Sequence, residues 1–421
     1  MAALSQSLLL LSQVYPPDPT SLGQHFHDAA REMARRGWRV RVLTSARGYA
    51  DPSRRFPSRE TIDGVEIRRL VWGSFGKGNL RARTVGGLAF LAQALLHGLV
   101  GKRPTHVVIS TSPPMAPVFG LAIARLRRAP LTFWLMDLNP DQAIVTGAVR
   151  PGAPSARLLE GANHAAARGS QAVVALDRFM ADRVRHRWEL DGKLAVLPPW
   201  PHENHIEPVA HADNPFRTRH GLQGKRVLMY SGNLSPVHPV DTILHAAREL
   251  REETRLAFVF IGEGGQKAAV EEAVRRDRLE RVVLLPYQPL ADLRYSLSAA
   301  DAHLVSMGAD MVGIVHPSKV YGAMAAGRPV LYLGPRQSHV GELVERFDIG
   351  WQVDHGDVAG ATNVLRELAG SPDAGLAARG ARARGALHGE LSQRHLLSAF
   401  CDVLERGVDA SARAGLARGA A

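Results

Sequence analysis

Residues 197–201 read Leu197-Pro198-Pro199-Trp200-Pro201. Three prolines in four positions can neither continue a helix nor occupy a central strand, because proline has no backbone N–H and its ring clashes with the preceding turn. The stretch therefore marks a break between folded units, and an interdomain linker is predicted over 198–215. What lies on either side of the break decides the fold.

On its C-terminal side, strands are predicted at 227–231, 257–261, 282–286, 303–306 and 329–333. They alternate with helices at 240–250, 266–276, 291–299 and 319–326. On its N-terminal side, strands are predicted at 8–14, 38–44, 66–71, 106–110, 131–136 and 172–175. Between the first two, Phe26, Ala29, Ala30, Met33 and Ala34 fall at helical spacing, so 24–36 is read as a helix, and 84–99 as an apolar one. Strand–helix alternation implies parallel sheets with helices on both faces. The fold class is therefore α/β, with two doubly wound domains at 1–197 and 216–388 and a helical tail at 389–406. Residues 410–421 are small and basic and read as a frayed end.

Composition narrows the function. A chain of 421 residues exceeds one ordinary core, which fits two domains. Cys401 is the single cysteine, so one chain can build neither a disulfide nor a thiolate zinc site, and a cytoplasmic setting is expected. The apolar start lacks a basic segment and a small-residue cleavage site, and reads as a first strand, not a signal peptide. The best membrane candidate, 85–100, is interrupted by Gly86, Gly87, Gln93, His97 and Gly98 and does not read as a span. The net charge of +12 points to anionic partners or to a solvated basic surface. Nucleic acid is not expected, because the arginines are dispersed and no basic strand is studded with aromatics. An anionic membrane surface stays as a partner, since the apolar stretch 88–100 lies near Arg81 and Arg83. The same stretch also reads as a buried core helix.

Ligands of doubly wound sheets bind at the carboxyl ends of the strands. Five segments there carry chemistry. The first runs from Tyr15-Pro16-Pro17-Asp18 to Gly23-Gln24, where a glycine would let a ligand approach a helix start; an ordinary loop has the same residues. The second, Ser231-Gly232-Asn233-Leu234, resembles half of a phosphate-binding turn. The third is Gly262-Glu263-Gly264-Gly265, where Glu263 could accept hydrogen bonds from sugar hydroxyls. These two follow successive strands, which places them side by side. The fourth is His316-Pro317-Ser318-Lys319, with Ser318 predicted as an N-cap and Lys319 beside a helix N-terminus suited to a diphosphate. A capped helix with a solvated lysine is the plainer alternative. The fifth is Met136-Asp137-Leu138-Asn139-Pro140-Asp141, where Asp137 is either a catalytic carboxylate or a turn cap. His202-Glu203-Asn204-His205 falls in the proline-rich linker, so a hinge is expected there and no metal site.

With these residues in place, the chain resembles glycosyltransferase family 4, of the GT-B fold, closest to the bacterial branch building O-antigen, capsule and exopolysaccharide, fucosaminyltransferase-like members included. The resemblance rests on the segments above, on Gly37-Trp38-Arg39-Val40-Arg41-Val42-Leu43-Thr44, and on Ala325-Ala326-Gly327-Arg328-Pro329-Val330. It implies two Rossmann-like domains facing each other across a cleft, an acceptor domain first and a nucleotide-sugar domain second, with the helical tail crossing back. It implies transfer with retention from a nucleotide-diphosphate sugar, a UDP-sugar by preference, to a glycan, lipid-linked or small-molecule acceptor, with no cofactor or bound metal. Donor contacts are assigned to Gly232, Asn233, Glu263, Tyr287, Pro317, Ser318 and Lys319, a cleft loop to Gly23 and Gln24, and catalysis to Asp137. The enzyme is expected in the cytoplasm, peripheral at the inner face of the membrane. Two family features are missing. Ile314 and Gly322 stand where most members carry a pair of glutamates, and Met136 where many carry a histidine. A nucleotide-sugar 2-epimerase and a non-catalytic sugar-nucleotide-binding subunit share the architecture and remain alternatives.

Overall fold

The computed structural model describes residues 6–18, 20–49, 51–73, 80–202 and 206–406, the side chains of 80–83 excepted. The 410–421 tail, residues 203–205 of the linker motif and the side chains of Arg81 and Arg83 lie outside the described residues. Two compact units divide the chain. One comprises Met1–Trp200, Gly313–His316 and the stretch from Arg394 onward; the other comprises Pro201–Val312 and Pro317–Gln393.

The sheet of the first unit contains β1 (Ser7–Leu11), β2 (Arg39–Ser45), β3 (Arg59–Ile62), β4 (Val65–Leu70), β5 (His106–Ser110), β6 (Leu131–Trp134), β7 (Ala172–Ala175) and β8 (Leu194–Val196). Their order is β3-β4-β2-β1-β5-β6-β7-β8. Every pairing is parallel except that of the edge strand β3 with β4. Leu8 on β1 stands opposite Val40 on β2 and His106 on β5, so the order turns at β1. Strands β5, β6 and β7 are buried along their whole length, which is why they are mostly apolar, with His106, Ser110 and Thr132 the polar exceptions.

The helix Ser21–Arg35 starts three residues earlier than its apolar spacing suggests, because Thr20 caps it by accepting the Gly23 N–H. Gly23 therefore lies in the first helical turn. A Cβ there would stand 3.1 Å from the Tyr15 Cα, so this glycine lets the helix pack on the Tyr15 backbone.

Trp134, at the end of β6, is enclosed by Trp200 and Phe400, with ring centroids 5.5 and 4.2 Å away. The Trp200 indole donates to Asp28 at 3.0 Å, and its carbonyl lies 2.9 Å from His25 Nε2. Phe400 comes from the helix Gln393–Arg406, which Arg36 clasps through Asp402 (2.6 Å), Glu405 (3.0 Å) and the Ser398 hydroxyl (2.9 Å). The tail that the sequence reads as helical over 389–406 forms the helix Gln393–Arg406, and a separate helix, Asp373–His388, precedes it.

The second unit holds β9 (Arg226–Ser231), β10 (Leu256–Ile261), β11 (Val282–Leu285), β12 (Ala302–Ser306), β13 (Val330–Leu333) and β14 (Gly350–Val353). All are parallel, in the order β11-β10-β9-β12-β13-β14. Asp301, at the entry to β12, is buried and accepts from Arg217 (3.1 Å), Arg226 (3.0 Å) and the Val227 N–H (2.9 Å). These bonds tie β12 to β9, and between those two strands the sheet order turns. In such sheets that switch point is where a ligand crevice opens.

Candidate functional site

In the second unit three glycines collect at the carboxyl ends of neighbouring strands. Gly232 follows β9 with φ +147°, and Gly262 and Gly264 follow β10 with φ +143° and +147°, a region other residues rarely enter. A Cβ on Gly262 would stand 1.9 Å from the Gly232 carbonyl oxygen, and one on Gly264 would stand 2.1 Å from that of Leu234. A Cβ on Gly232 would meet Lys319 Cε at 2.3 Å. Two backbone bonds hold the loops together, Gly232 N–H to Ile261 (2.9 Å) and Leu234 N–H to Glu263 (2.8 Å). The two loops and the lysine stem thus stack with no room for a methyl group.

Gly262→Ala is accordingly expected to cost about 1–3 kcal/mol of stability, the usual range for overpacking, and to distort the Gly232 loop. Gly265 has an open site and serves as the control. Urea unfolding of both variants checks this; equal midpoints would show that the loops tolerate the extra carbon.

Lys319 opens the helix Lys319–Ala325 and points its ammonium at the Tyr230 ring, 5.4 Å from the centroid. Its side chain keeps some contact with solvent, but the protein packed around it desolvates the charge and pushes its pKa down to about 7. No acidic group among the described residues offsets that loss. A lysine at a helix start also faces the positive end of the helix dipole. His238, on the loop after β9, is buried with Nδ1 2.6 Å from the Ser306 carbonyl. Desolvation first, and then the Lys319 charge, push its pKa down to about 3, so the ring stays neutral.

Ser318 is exposed and precedes the helix, but its side chain caps nothing, contrary to the sequence expectation. Its backbone already lies in the helical region (φ −61°, ψ −13°), whereas a capping hydroxyl needs an extended residue to reach back to the N–H groups. Pro317 beside it is buried. A cavity of about 160 Å³ opens here, lined by Ser231, His303, Ser318, Lys319 and Gly322. Asn233 is exposed and its carbonyl accepts the Tyr230 hydroxyl at 2.6 Å. Glu263 is exposed and its carboxylate is held by Lys267 at 2.7 Å. Tyr287 lies over Gly262, its ring 3.5 Å from where a Cβ would stand. The structure therefore brings Gly232, Asn233, Glu263, Tyr287, Ser318 and Lys319 to one end of one sheet.

In the first unit Asp137 follows β6 and is reached by solvent, yet stands among enough protein to be poorly hydrated. Desolvation raises its pKa to about 6, opposed by the nearby His316. The loop is pinned by Met136 N–H to Thr111 Oγ1 (3.3 Å) and by Leu138 N–H to the Ile314 carbonyl (2.9 Å). Ile314 is buried and serves packing here. Asp141 accepts from Arg187 at 2.9 and 3.0 Å and acts as an anchor for its loop.

Sequence reasoning did not single out Asp177. It caps the helix Arg178–Trp188 by accepting from Met180 N–H at 2.8 Å, and it also accepts from His316 Nδ1 at 3.0 Å. A carboxylate only accepts, so this bond places a proton on Nδ1 and fixes the imidazole beside Asp137. A lone Asp and a lone His far apart in sequence carry no signal of this pairing. Gly23 and Gln24 belong to the helix Ser21–Arg35 of this same unit.

Comparison with known proteins agrees with both halves. Residues 21–200 match a domain described as glycosyl transferase 4-like, and residues 225–370 match one described as glycosyl transferases group 1. A Pseudomonas aeruginosa protein named probable glycosyltransferase WbjE is 26% identical over 290 residues, 67% of this chain and 71% of that protein. An Escherichia coli protein named putative colanic acid biosynthesis glycosyl transferase WcaI is 23% identical over 348 residues, 79% of this chain and 84% of that one. The structure of Anabaena Alr3699/HepE in complex with UDP-glucose superposes with a TM-score of 0.69 at 17% identity, over 95% of this chain and 99% of that chain.

Proposed function

Because the chain belongs to the glycosyltransferase family whose two halves are the 4-like and group 1 domains, and has the GT-B fold, we propose that it transfers a sugar from a UDP-sugar, with retention, to a glycan or lipid-linked acceptor in bacterial cell-surface polysaccharide synthesis. The observation that carries the donor half is Lys319: a desolvated ammonium with no offsetting acidic group among the described residues, its stem packed so closely on Gly232 that a Cβ there would stand 2.3 Å from Lys319 Cε. Such a site gains most from a ligand bringing two negative charges and several acceptor oxygens, which a diphosphate does. The diphosphate rests on Gly232, Asn233, Pro317, Ser318 and Lys319, while Glu263 and Tyr287 border the sugar or base. The UDP-glucose bound by HepE and the polysaccharide named for WcaI support donor and pathway class.

Asp137 acts on the acceptor side. In front-face retention the leaving phosphate takes the acceptor proton and Asp137 orients or stabilises; in an inverting reaction Asp137 is the base. The anomeric configuration of the first-formed product, read by NMR, separates the two. No metal takes part in this scheme, so chelator should leave the rate unchanged.

The donor is tested by thermal shift with UDP-, GDP- and dTDP-sugars. A ligand that binds only the native state raises stability, by about 2.7 kcal/mol at a hundredfold excess over its Kd. A rise with UDP-sugars and none with the others is the expected result; a rise confined to another base reassigns the donor.

A further inference from the structure

The cavity of about 160 Å³ beside Lys319 runs into the second unit between the sheet and two helices. Ser231 and Lys319 stand at its outer end, at the carboxyl edge of the sheet. Leu293 and Leu297, from the helix Leu293–Ser298, give it an apolar wall. His303 lies further in. It pairs with Met229, two residues before Ser231 on β9, which at ~3.3 Å per residue puts it about 7 Å inside the edge.

Two features of the cavity are not explained by packing. The first is His303. It is 4% exposed, and its Nε2 lies 2.9 Å from the Leu297 carbonyl oxygen. Burial pushes its pKa down to about 4, so the ring is neutral. A carbonyl only accepts, so the single ring proton is on Nε2 and Nδ1 is a bare acceptor. No group among the described residues donates to it. The second is Gly322, inside the helix Lys319–Ala325. Glycine is less stable there than alanine. A Cβ at Gly322 would stand 3.6 Å from Leu297 Cδ1, an ordinary contact, so neither backbone nor packing calls for glycine. What its missing side chain preserves is the cavity.

We propose that this cavity takes the ribose of the donor nucleotide, and that His303 Nδ1 accepts a hydrogen bond from its 2′- or 3′-hydroxyl. The volume equals that of about five waters at ~30 Å³ each, room for one ring and not for a whole nucleoside. Leu293 and Leu297 cover the apolar face of such a ring, while Lys319 at the mouth holds the diphosphate joined to it. The transferred sugar is the other ring beside a diphosphate. It must present its anomeric carbon to an acceptor, which a ring enclosed between helix and sheet cannot do. His303 is thus a specificity residue: a site built to pair a hydroxyl rejects the analogue lacking it, because its own buried group is left unpaired.

The inference rests on the donor reading, and calorimetry on the full chain separates the two. UDP, 2′-deoxy-UDP and 3′-deoxy-UDP are titrated into the parent, His303→Gln and Gly322→Leu. Glutamine keeps an N–H for the Leu297 carbonyl but puts no acceptor at the Nδ1 position. The parent should bind UDP roughly 5- to 150-fold more tightly than at least one deoxy analogue, the range for a buried group left unpaired, and in His303→Gln that ratio should fall to about one. Gly322→Leu should bind UDP weakly yet unfold at a higher urea concentration than the parent, a combination that a damaged fold does not give. With the parent's own ratio, it carries the test should His303→Gln fail to fold. A parent that binds UDP and both deoxy analogues equally, a ratio that His303→Gln leaves unchanged, or a Gly322→Leu that binds UDP like the parent would overturn the inference and leave the donor reading standing. An unchanged ratio with a lost gain of UDP-glucose over UDP would assign the cavity to the transferred sugar instead. A parent that does not bind UDP would overturn the donor reading and this inference with it.

Discussion

Asp137→Asn is expected to lower turnover at least about 100-fold, the low end for a positioned catalytic carboxylate. The substitution keeps the size of a solvent-accessible side chain and removes its charge, so folding should be little affected. The raised pKa adds a second signature. A carboxyl group that titrates near 6 is charged above that value and neutral below it. If the charged form is needed, kcat/KM of the parent falls as pH drops through about 6, a limb reporting the free enzyme. His316 opposes the rise, so His316→Ala should move this limb to higher pH. Near-normal turnover in Asp137→Asn would leave the residue a turn cap and nothing more.

Lys319→Ala should weaken UDP binding by about 1.5–3 kcal/mol, the size of a charge-assisted hydrogen bond, which is roughly 10- to 150-fold in Kd. Affinity for uridine should barely move. The effect on stability runs the other way. The folded pKa lies near 7, well below the value of about 10.4 for an unfolded lysine. Between those values the unfolded chain binds a proton that the folded one refuses, so stability rises with pH across that window and the full penalty is present below it. The variant lacks the penalty. It should be more stable than the parent near neutrality and indistinguishable from it once both states are deprotonated, above about pH 11. A bound diphosphate favours the ammonium, so UDP binding at pH 8 should take up a proton in the parent and not in the variant. Calorimetry in buffers of different ionisation enthalpy measures that uptake. Equal losses for UDP and uridine would make Lys319 an ordinary surface lysine.

The alternation of apolar strands and helices is enough to read two parallel α/β sheets, because strands covered on both faces are mostly apolar and stand out against their helices. What escaped the pattern was short or half-covered. Strand β3 reads Arg-Glu-Thr-Ile, the alternation of an exposed antiparallel edge. Strand β8 has three residues, and β14 begins at Gly350. The glycines at 232, 262 and 264 were legible as candidates because they follow strands. Their mutual contact was not, since it depends on the register of β9 against β10. Lys319 is legible at a helix start from Pro317 and Ser318 together, although Ser318 makes no side-chain cap. Its desolvation is not, being a property of packing. The Asp177–His316 bond joins residues 139 positions apart and needs the fold to be seen at all.

The clasp on Arg36 and the Trp134–Phe400 stack carry a consequence for biosynthesis. A ribosome delivers residues 1–200 first, then nearly all of the second unit, and only afterwards the helix Gln393–Arg406. Until that helix emerges, the nascent first unit has every strand of its sheet but leaves Trp134 and Trp200 without Phe400, and Arg36 without Asp402 and Glu405. The first half to be made is thus the last to be finished, and it waits with aromatic surface uncovered while the second half folds. Expressed alone, it should behave as such an intermediate, binding hydrophobic dyes and aggregating, and a separately supplied peptide of residues 393–406 should quiet it.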